Sequence, residues 1–180
     1  MFWADARLTD IGLEQAAAAN VFWKDALTTT RIPAPQTYYS SPLMRCLETA
    51  RRTFSTLDLP ADQPYVPKVK ELLRERNGVH TCDRRSSRTA IQQAFPEAVF
   101  EPNMSEEDQL WNPQLRETLE QHAERETRLL DDIFTKDSGH FLSFTVHSGT
   151  IQALHTATKK DGFRVAAGAI IPLFINARRL

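Results

Sequence analysis

The chain lacks most of the features that would settle its class at once. It has only two cysteines, Cys46 and Cys82, in 180 residues. Two cysteines build no disulfide framework, so a reducing, cytoplasmic setting is the default. It has no charge excess, since 22 lysines and arginines against 23 aspartates and glutamates leave a net charge of −1. A dedicated nucleic-acid binder would be markedly basic, so the balance argues against that class. No apolar run approaches the roughly 18 residues that a membrane span needs. The opening residues carry Asp5 with no hydrophobic stretch behind it, and do not read as a signal peptide. Glycine is scarce too, at six. No internal repeat and no long linker divides the chain, so a single domain over residues 1–180 is expected.

What is present alternates. Thr9 or Asp10 can cap an alanine-rich helix running to about Leu27. Residues 37–40 read as a short strand, and Ser41-Pro42 opens a helix that runs to about Thr56, with Ser41 as cap and Pro42 at its first position. Residues 66–73 read as a strand, and residues 87–95 as a short helix before a loop reaching Asn112. A long helix is expected from about Pro113 to Thr135, with Leu115, Leu119, Ala123, Leu130 and Phe134 on its apolar face and a solvated acidic face opposite. Residues 141–146 have the compact apolar character of a buried parallel strand, and a helix follows over about residues 150–158. Residues 165–177 read as a last strand, edge-placed or bulged because Pro172 cannot donate to a ladder. The alternation predicts an α/β domain, a mostly parallel sheet with helices on both faces.

In open sheets of this kind, ligands gather beyond the C-terminal ends of strands. Two such ends carry polar residues. At the first, the start of the helix after Ser40 places free N–H groups beside Arg45, a combination suited to an anion. The competing reading is an ordinary capped helix with a surface arginine. At the second, His147 and Ser148 follow an apolar strand, where a protonated histidine can bind an anionic ligand; a packing histidine is the alternative. Glu75 lies between Arg74 and Arg76, which would hold it ionised if they were its nearest neighbours, and either a general acid or a solvated charge cluster fits. Arg84 and Arg85 form a basic surface loop or a wall of an anion pocket. His80, Cys82 and Asp83 stand close together, but no second ligand pair stands at a telling spacing, so neither a metal nor a cofactor is implied.

These stretches occur in an order that resembles the histidine phosphatase (phosphoglycerate mutase-like) superfamily, in particular its plant and fungal branch. Residues 5–16, DARLTDIGLEQA, are similar to the family's D-x-x-L-T-x-x-G-x-x-Q-A segment. Residues 41–50, SPLMRCLETA, match its S-x-L-x-R-x-x-x-T-A helix start, and residues 73–85, LRERNGVHTCDRR, its L-R-E-x-x-G-V-H-x-C-D-x-R stretch. Asp108-x-Leu110-Trp111 and Val146-His147-Ser148-Gly149 complete the series. The resemblance implies a phosphoglycerate mutase-like fold and a small anionic, phosphorylated metabolite as ligand. It implies phosphoryl contacts from Arg45 and His147 and proton donation by Glu75; Ser148, Arg84 and Arg85 are expected to bind at the same pocket.

The resemblance also implies an Arg-His-Gly segment at the end of a first strand, with the attacking histidine in it. No Arg-His-Gly occurs in these 180 residues. Loss of a covalent nucleophile costs turnover on the order of a million-fold. Three readings follow: a phosphatase-family enzyme whose first strand lies outside this sequence, a nucleophile-less binder of a small anion, or an acid–base enzyme that uses Glu75 and His147 on another metabolite. In the family the first strand lies inside the sheet. Its absence is expected to leave an edge closed by re-pairing or by a second chain as a homodimer.

Overall fold

Thr9 starts the first helix. Its hydroxyl accepts the Gly12 amide at 3.2 Å, and α1 runs over Asp10–Thr28. That hydroxyl satisfies one of the amides that every helix start leaves unpaired. In this computed structural model residues 3–177 are described. Met1 and Phe2 of the opening stretch, and the last three residues, lie outside the described part. The elements continue as β1 (Thr37–Ser40), α2 (Met44–Phe54), β2 (Pro67–Val69), α3 (Arg88–Ala94), β3 (Val99–Phe100), α4 (Leu119–Lys136), β4 (Leu142–Thr145) and α5 (Ser148–Ala157). Two 3₁₀ turns, Glu71–Leu73 and Thr81–Asp83, lie between β2 and α3.

The strands form one parallel sheet in the order β3-β2-β1-β4. All four residues of β1 are buried. Successive side chains of a strand point to opposite faces, and β1 uses both. Tyr38 packs with Ala50 and Phe54 of α2, whereas Tyr39 packs with Leu129 and Ile133 of α4. The α/β architecture with helices on both faces is therefore the one the chain adopts. A further cluster of Met44, Leu47, Val69, Ile91 and Phe100 ties α2 and α3 to β2 and β3. No described helix is long and apolar enough to cross a membrane.

Several expected elements shift, for physical reasons. The second helix begins at Met44, after an extended Leu43, so Ser41 and Pro42 precede it rather than cap it. The long helix begins at Leu119, because Thr118 and Gln121 form a reciprocal capping box. Thr118 Oγ1 accepts the Gln121 amide at 3.2 Å, and Gln121 Oε1 accepts the Thr118 amide at 2.9 Å. Its inward face keeps Ala123 and Leu130 of the expected set, but Leu119 and Phe134 are exposed, while His122, Arg125 and Glu126 are buried. The expected solvated acidic face thus contributes a fully buried carboxyl group.

Residues 165–177 form no strand. A strand needs a partner for its amides, and this segment instead passes beside α1, with Gly168 against the Gln15 side chain. The short strand β3 was expected to be loop. β4 is parallel as expected but half-buried, because β1 is its only strand partner among the described residues. The re-pairing expected to close its other edge is not made by the described residues.

Candidate active site

The register of β1 against β4 builds the site. Ser40 lies opposite Thr145, and the Ser41 amide donates to the Thr145 carbonyl at 3.1 Å. The residues that follow the two strands therefore emerge side by side. His147 Nε2 lies 2.9 Å from Ser41 Oγ and 3.4 Å from Cys46 Sγ. Arg45, in the first turn of α2, reaches back to the same point. Its Nη1 donates to the Cys82 carbonyl at 2.7 Å and its Nη2 to Asp83 Oδ1 at 2.9 Å, with His147 Nδ1 at 3.2 Å. Ser148, the first residue of α5, is exposed at this end of the sheet.

His147 is 8 % exposed. Burial, followed by the charges of Arg45 and other nearby cations, pushes it well below its ordinary value of 6.5. Its resting form near neutral pH is the uncharged ring, not the imidazolium expected from its position. Cys46 beside it is a neutral thiol, pushed up to about 12 mainly by burial.

Glu75 arrives from the other side. Its carboxylate accepts the Gly149 amide at 3.1 Å and the Arg76 amide at 2.9 Å. The flanking guanidiniums go elsewhere. Arg74 is bidentate to Asp108 at 2.6 Å, and Arg76 donates to the Glu117 carbonyl at 2.6 Å. The Glu75 segment is instead stapled by Arg125 of α4. Its Nη1 donates to the carbonyls of Leu72 and Arg74, and its Nη2 to the Glu75 carbonyl at 3.2 Å. Glu117 grips the remaining donors of that guanidinium twice at 2.8 Å. Thr150 Oγ1 of α5 adds a bond to the Arg74 carbonyl at 3.0 Å.

Two further expectations are corrected. The N-terminus of α2 offers no free anion cradle: the Met44 amide donates to Asp5 Oδ1 at 2.8 Å, and the Leu43 amide to Ser41 Oγ. Asp5 is 4 % exposed, and its other oxygen accepts the Ser86 amide at 2.8 Å. Arg85 is neither surface loop nor pocket wall. It is buried, with its donors spent on Glu71, on Ser105 and on the carbonyls of Ser86, Glu106 and Glu107. Arg84 stands over the Trp111 ring at 5.5 Å. Among the described residues, no three His, Cys, Asp or Glu side chains gather as a metal ion would need.

Arg45, His147, Ser148 and Glu75 are thus brought together from the sequence-derived set, and Arg85 is not. Asp5, Asp83, Arg125 and Thr150 were missed as supporting groups. The motifs contain Asp5 and Asp83 without saying what either touches, and no local pattern singles out Arg125 or Thr150.

Comparison with known proteins supplies the wider frame. The profile of the histidine phosphatase superfamily (branch 1) matches residues 1–164. A probable phosphoglycerate mutase of Arthroderma benhamiae is 46 % identical over 174 residues, 97 % of this chain and 52 % of that protein. A probable phosphoglycerate mutase of Saccharomyces cerevisiae is 32 % identical over 84 % of this chain and 57 % of its own length. The chain therefore spans about half the length of these relatives. Among solved structures, a mycobacterial glucosyl-3-phosphoglycerate phosphatase in complex with inorganic phosphate aligns with a TM-score of 0.53 at 20 % identity, over 87 % of this chain and 70 % of the other. A putative alpha-ribazole-5'-P phosphatase of Escherichia coli aligns with a TM-score of 0.56 at 18 % identity, over 92 % and 76 %. These likenesses show the fold.

Proposed function

The chain belongs to branch 1 of the histidine phosphatase superfamily, and we propose that it serves phosphoryl transfer or hydrolysis on a small phosphorylated metabolite. Arg45 supplies a fixed cation for the phosphoryl oxygens, His147 a ring N–H beside it, and Ser148 a hydroxyl at the start of α5. Glu75 gives its proton to the leaving oxygen. The observation that carries this reading is convergence. Arg45 lies 3.2 Å from His147, and Glu75 is hydrogen-bonded to Gly149, two residues further along. The attacking histidine belongs to an Arg-His-Gly segment that the 180 residues do not contain. We assign it to polypeptide outside this sequence, delivered as a strand along the open edge of β4. Both cysteines are free, which favours the cytoplasm as its compartment.

Hydrolysis of p-nitrophenyl phosphate by this chain, and by the same chain joined to an Arg-His-Gly strand, tests the reading. The chain alone should be slower on the order of a million-fold. Glu75→Gln in the joined form should lower kcat by about 10²–10⁴-fold. Equal turnover by the two forms, or a joined form inactive on small phosphomonoesters, overturns it. A second reading, a nucleophile-less anion binder, is favoured by the pre-assembly of Arg45 and His147 within the chain itself. Calorimetry with phosphate and vanadate separates the two: the second reading requires binding without turnover, and no binding at millimolar ligand counts against it. Sedimentation decides whether a second copy covers the β4 edge instead.

A further inference from the structure

Asp83 holds no part of the chemistry assigned above, yet two guanidiniums and an imidazole face it. Its side chain is 5 % exposed, on the 3₁₀ turn Thr81–Asp83. Arg45 Nη2 stands 2.9 Å from Oδ1, Arg116 Nη1 3.1 Å from Oδ2, and His80 Nδ1 3.9 Å from Oδ2. The main chain at this point is anchored from beneath, where buried Arg74 donates its Nη2 to the Asp83 carbonyl at 2.6 Å. Arg74 is in turn bidentate to Asp108. Asp83 is therefore the fixed member of the group, and the long side chain of Arg45 is the one that gains an orientation from it.

That orientation reaches one residue further. The same Nη2 that donates to Asp83 lies 3.2 Å from His147 Nδ1. A guanidinium has donors and no acceptor, so Nδ1 must accept and the single proton of the neutral ring sits on Nε2. The Nε2–H then meets Ser41 Oγ at 2.9 Å. Cys46 Sγ, a weak acceptor, lies beside the same nitrogen.

We propose that Asp83 is a positioning residue, which holds Arg45 so that Arg45 in turn keeps the proton of His147 on Nε2. This rests on the reading of Arg45 and His147 as the groups that bind the phosphoryl oxygens. Without the carboxylate, Arg45 keeps the Cys82 carbonyl alone, its guanidinium leaves Nδ1, and both neutral tautomers are populated. With it, the site holds one guanidinium of fixed plane and one ring tautomer, whose single N–H rests on Ser41 Oγ.

Long-range ¹⁵N–¹H correlation spectra of the chain, labelled at histidine, read the tautomer directly. Wild type should show His147 protonated on Nε2 and bare on Nδ1. Asp83→Asn and Asp83→Ala should each lower the ratio of Nε2–H to Nδ1–H forms by about fivefold or more, the factor that a hydrogen bond of about 1 kcal/mol supplies. Arg45→Met should produce the same mixture from the other end of the relay, which keeps the inference testable if Asp83→Ala does not fold. An Nδ1–H ring in wild type, a ratio unchanged in the Asp83 variants that fold, or one unchanged in Arg45→Met, overturns it. Titration of inorganic phosphate into the same samples keeps the functional reading separate. A ratio that shifts on substitution in a chain that binds no phosphate upholds the positioning role and counts against the anion site.

Discussion

Gly149 donates its amide to Oε2 of Glu75 at 3.1 Å, and the Cβ it lacks would lie 1.9 Å from Oε1 of the same carboxylate. Glycine is needed here for close approach rather than for an unusual backbone angle. Gly149→Ala should push the carboxylate off the amide. Because the clash is with the end of a side chain that can swing aside, the loss should fall on activity rather than on folding. In a form of the protein active on phosphomonoesters, kcat should drop by about 10²-fold or more. Steady-state rates beside a thermal melt check this; an unchanged kcat removes Glu75 from the role of proton donor.

Arg125 should matter to stability far more than a helix arginine ordinarily does. Its side chain is 4 % exposed, and it joins α4 to the Glu75 segment while paired with Glu117. Arg125→Met leaves Glu117 without its guanidinium and the Leu72 and Glu75 carbonyls without that donor, while Thr150 still serves the Arg74 carbonyl. Breaking a buried pair from one side costs about 3–5 kcal/mol. Urea unfolding should show a loss of that order, whereas a loss below about 1 kcal/mol would match an exposed pair instead.

The buried pair His122 and Glu126 should give stability a dependence on pH. Burial raises Glu126 to about 8 from 4.5, and the Arg125 guanidinium 3.1 Å away, already committed to Glu117, does not offset it. Burial, then the Arg125 charge, lowers His122 to about 4 from 6.5. An acid whose pKa is raised by folding adds stability below its unfolded value and loses it as pH climbs toward the folded one. A histidine lowered by folding adds stability above its unfolded value and loses it as pH falls. The two slopes oppose each other below the ordinary histidine value of 6.5, where His147 adds to the histidine side. Between that value and about 8 only Glu126 is left, and stability should decline by up to about 1.4 kcal/mol per pH unit. Glu126→Gln should flatten that limb. Denaturant titrations across the window decide it, and a wild type equally stable at both ends contradicts the prediction.

Asp5 acts as a cap supplied from a distance. It joins the start of α2 to the Ser86 amide. Asp5→Ala should cost about 1–2 kcal/mol, the range for losing a helix-capping side chain, and Asp5→Asn less. Equilibrium unfolding of the two variants gives the comparison, and equal stability of all three proteins would refute a capping role.

Elements whose causes lie within a few residues were legible in advance. The Thr9 cap, the strand Thr37–Ser40 and the short helix capped by Ser87 match their expectations closely. The Thr118–Gln121 capping box is equally local and marks the true start of α4, though apolar spacing alone placed that start earlier. Arg45, His147 and Glu75 were legible through motif order. Their partners were not, because Arg45 meets an aspartate 38 positions away and Glu75 a glycine 74 positions away.

By itself the sequence determined the alternation of helices and strands, the family and the absence of an Arg-His-Gly segment. Those depend on residue identity and on hydrophobic period, which need no partner to be read. Only the tertiary structure decided which charges are buried, and for whom. Arg85 and Glu126 look like surface residues until Glu71 and a ring of carbonyls enclose the one, and His122 and the packing of α4 enclose the other. Burial makes an unpaired charge costly, so the pairing of Arg45 with Asp83, of Arg125 with Glu117 and of Asp5 with two amides follows from what the fold brings together.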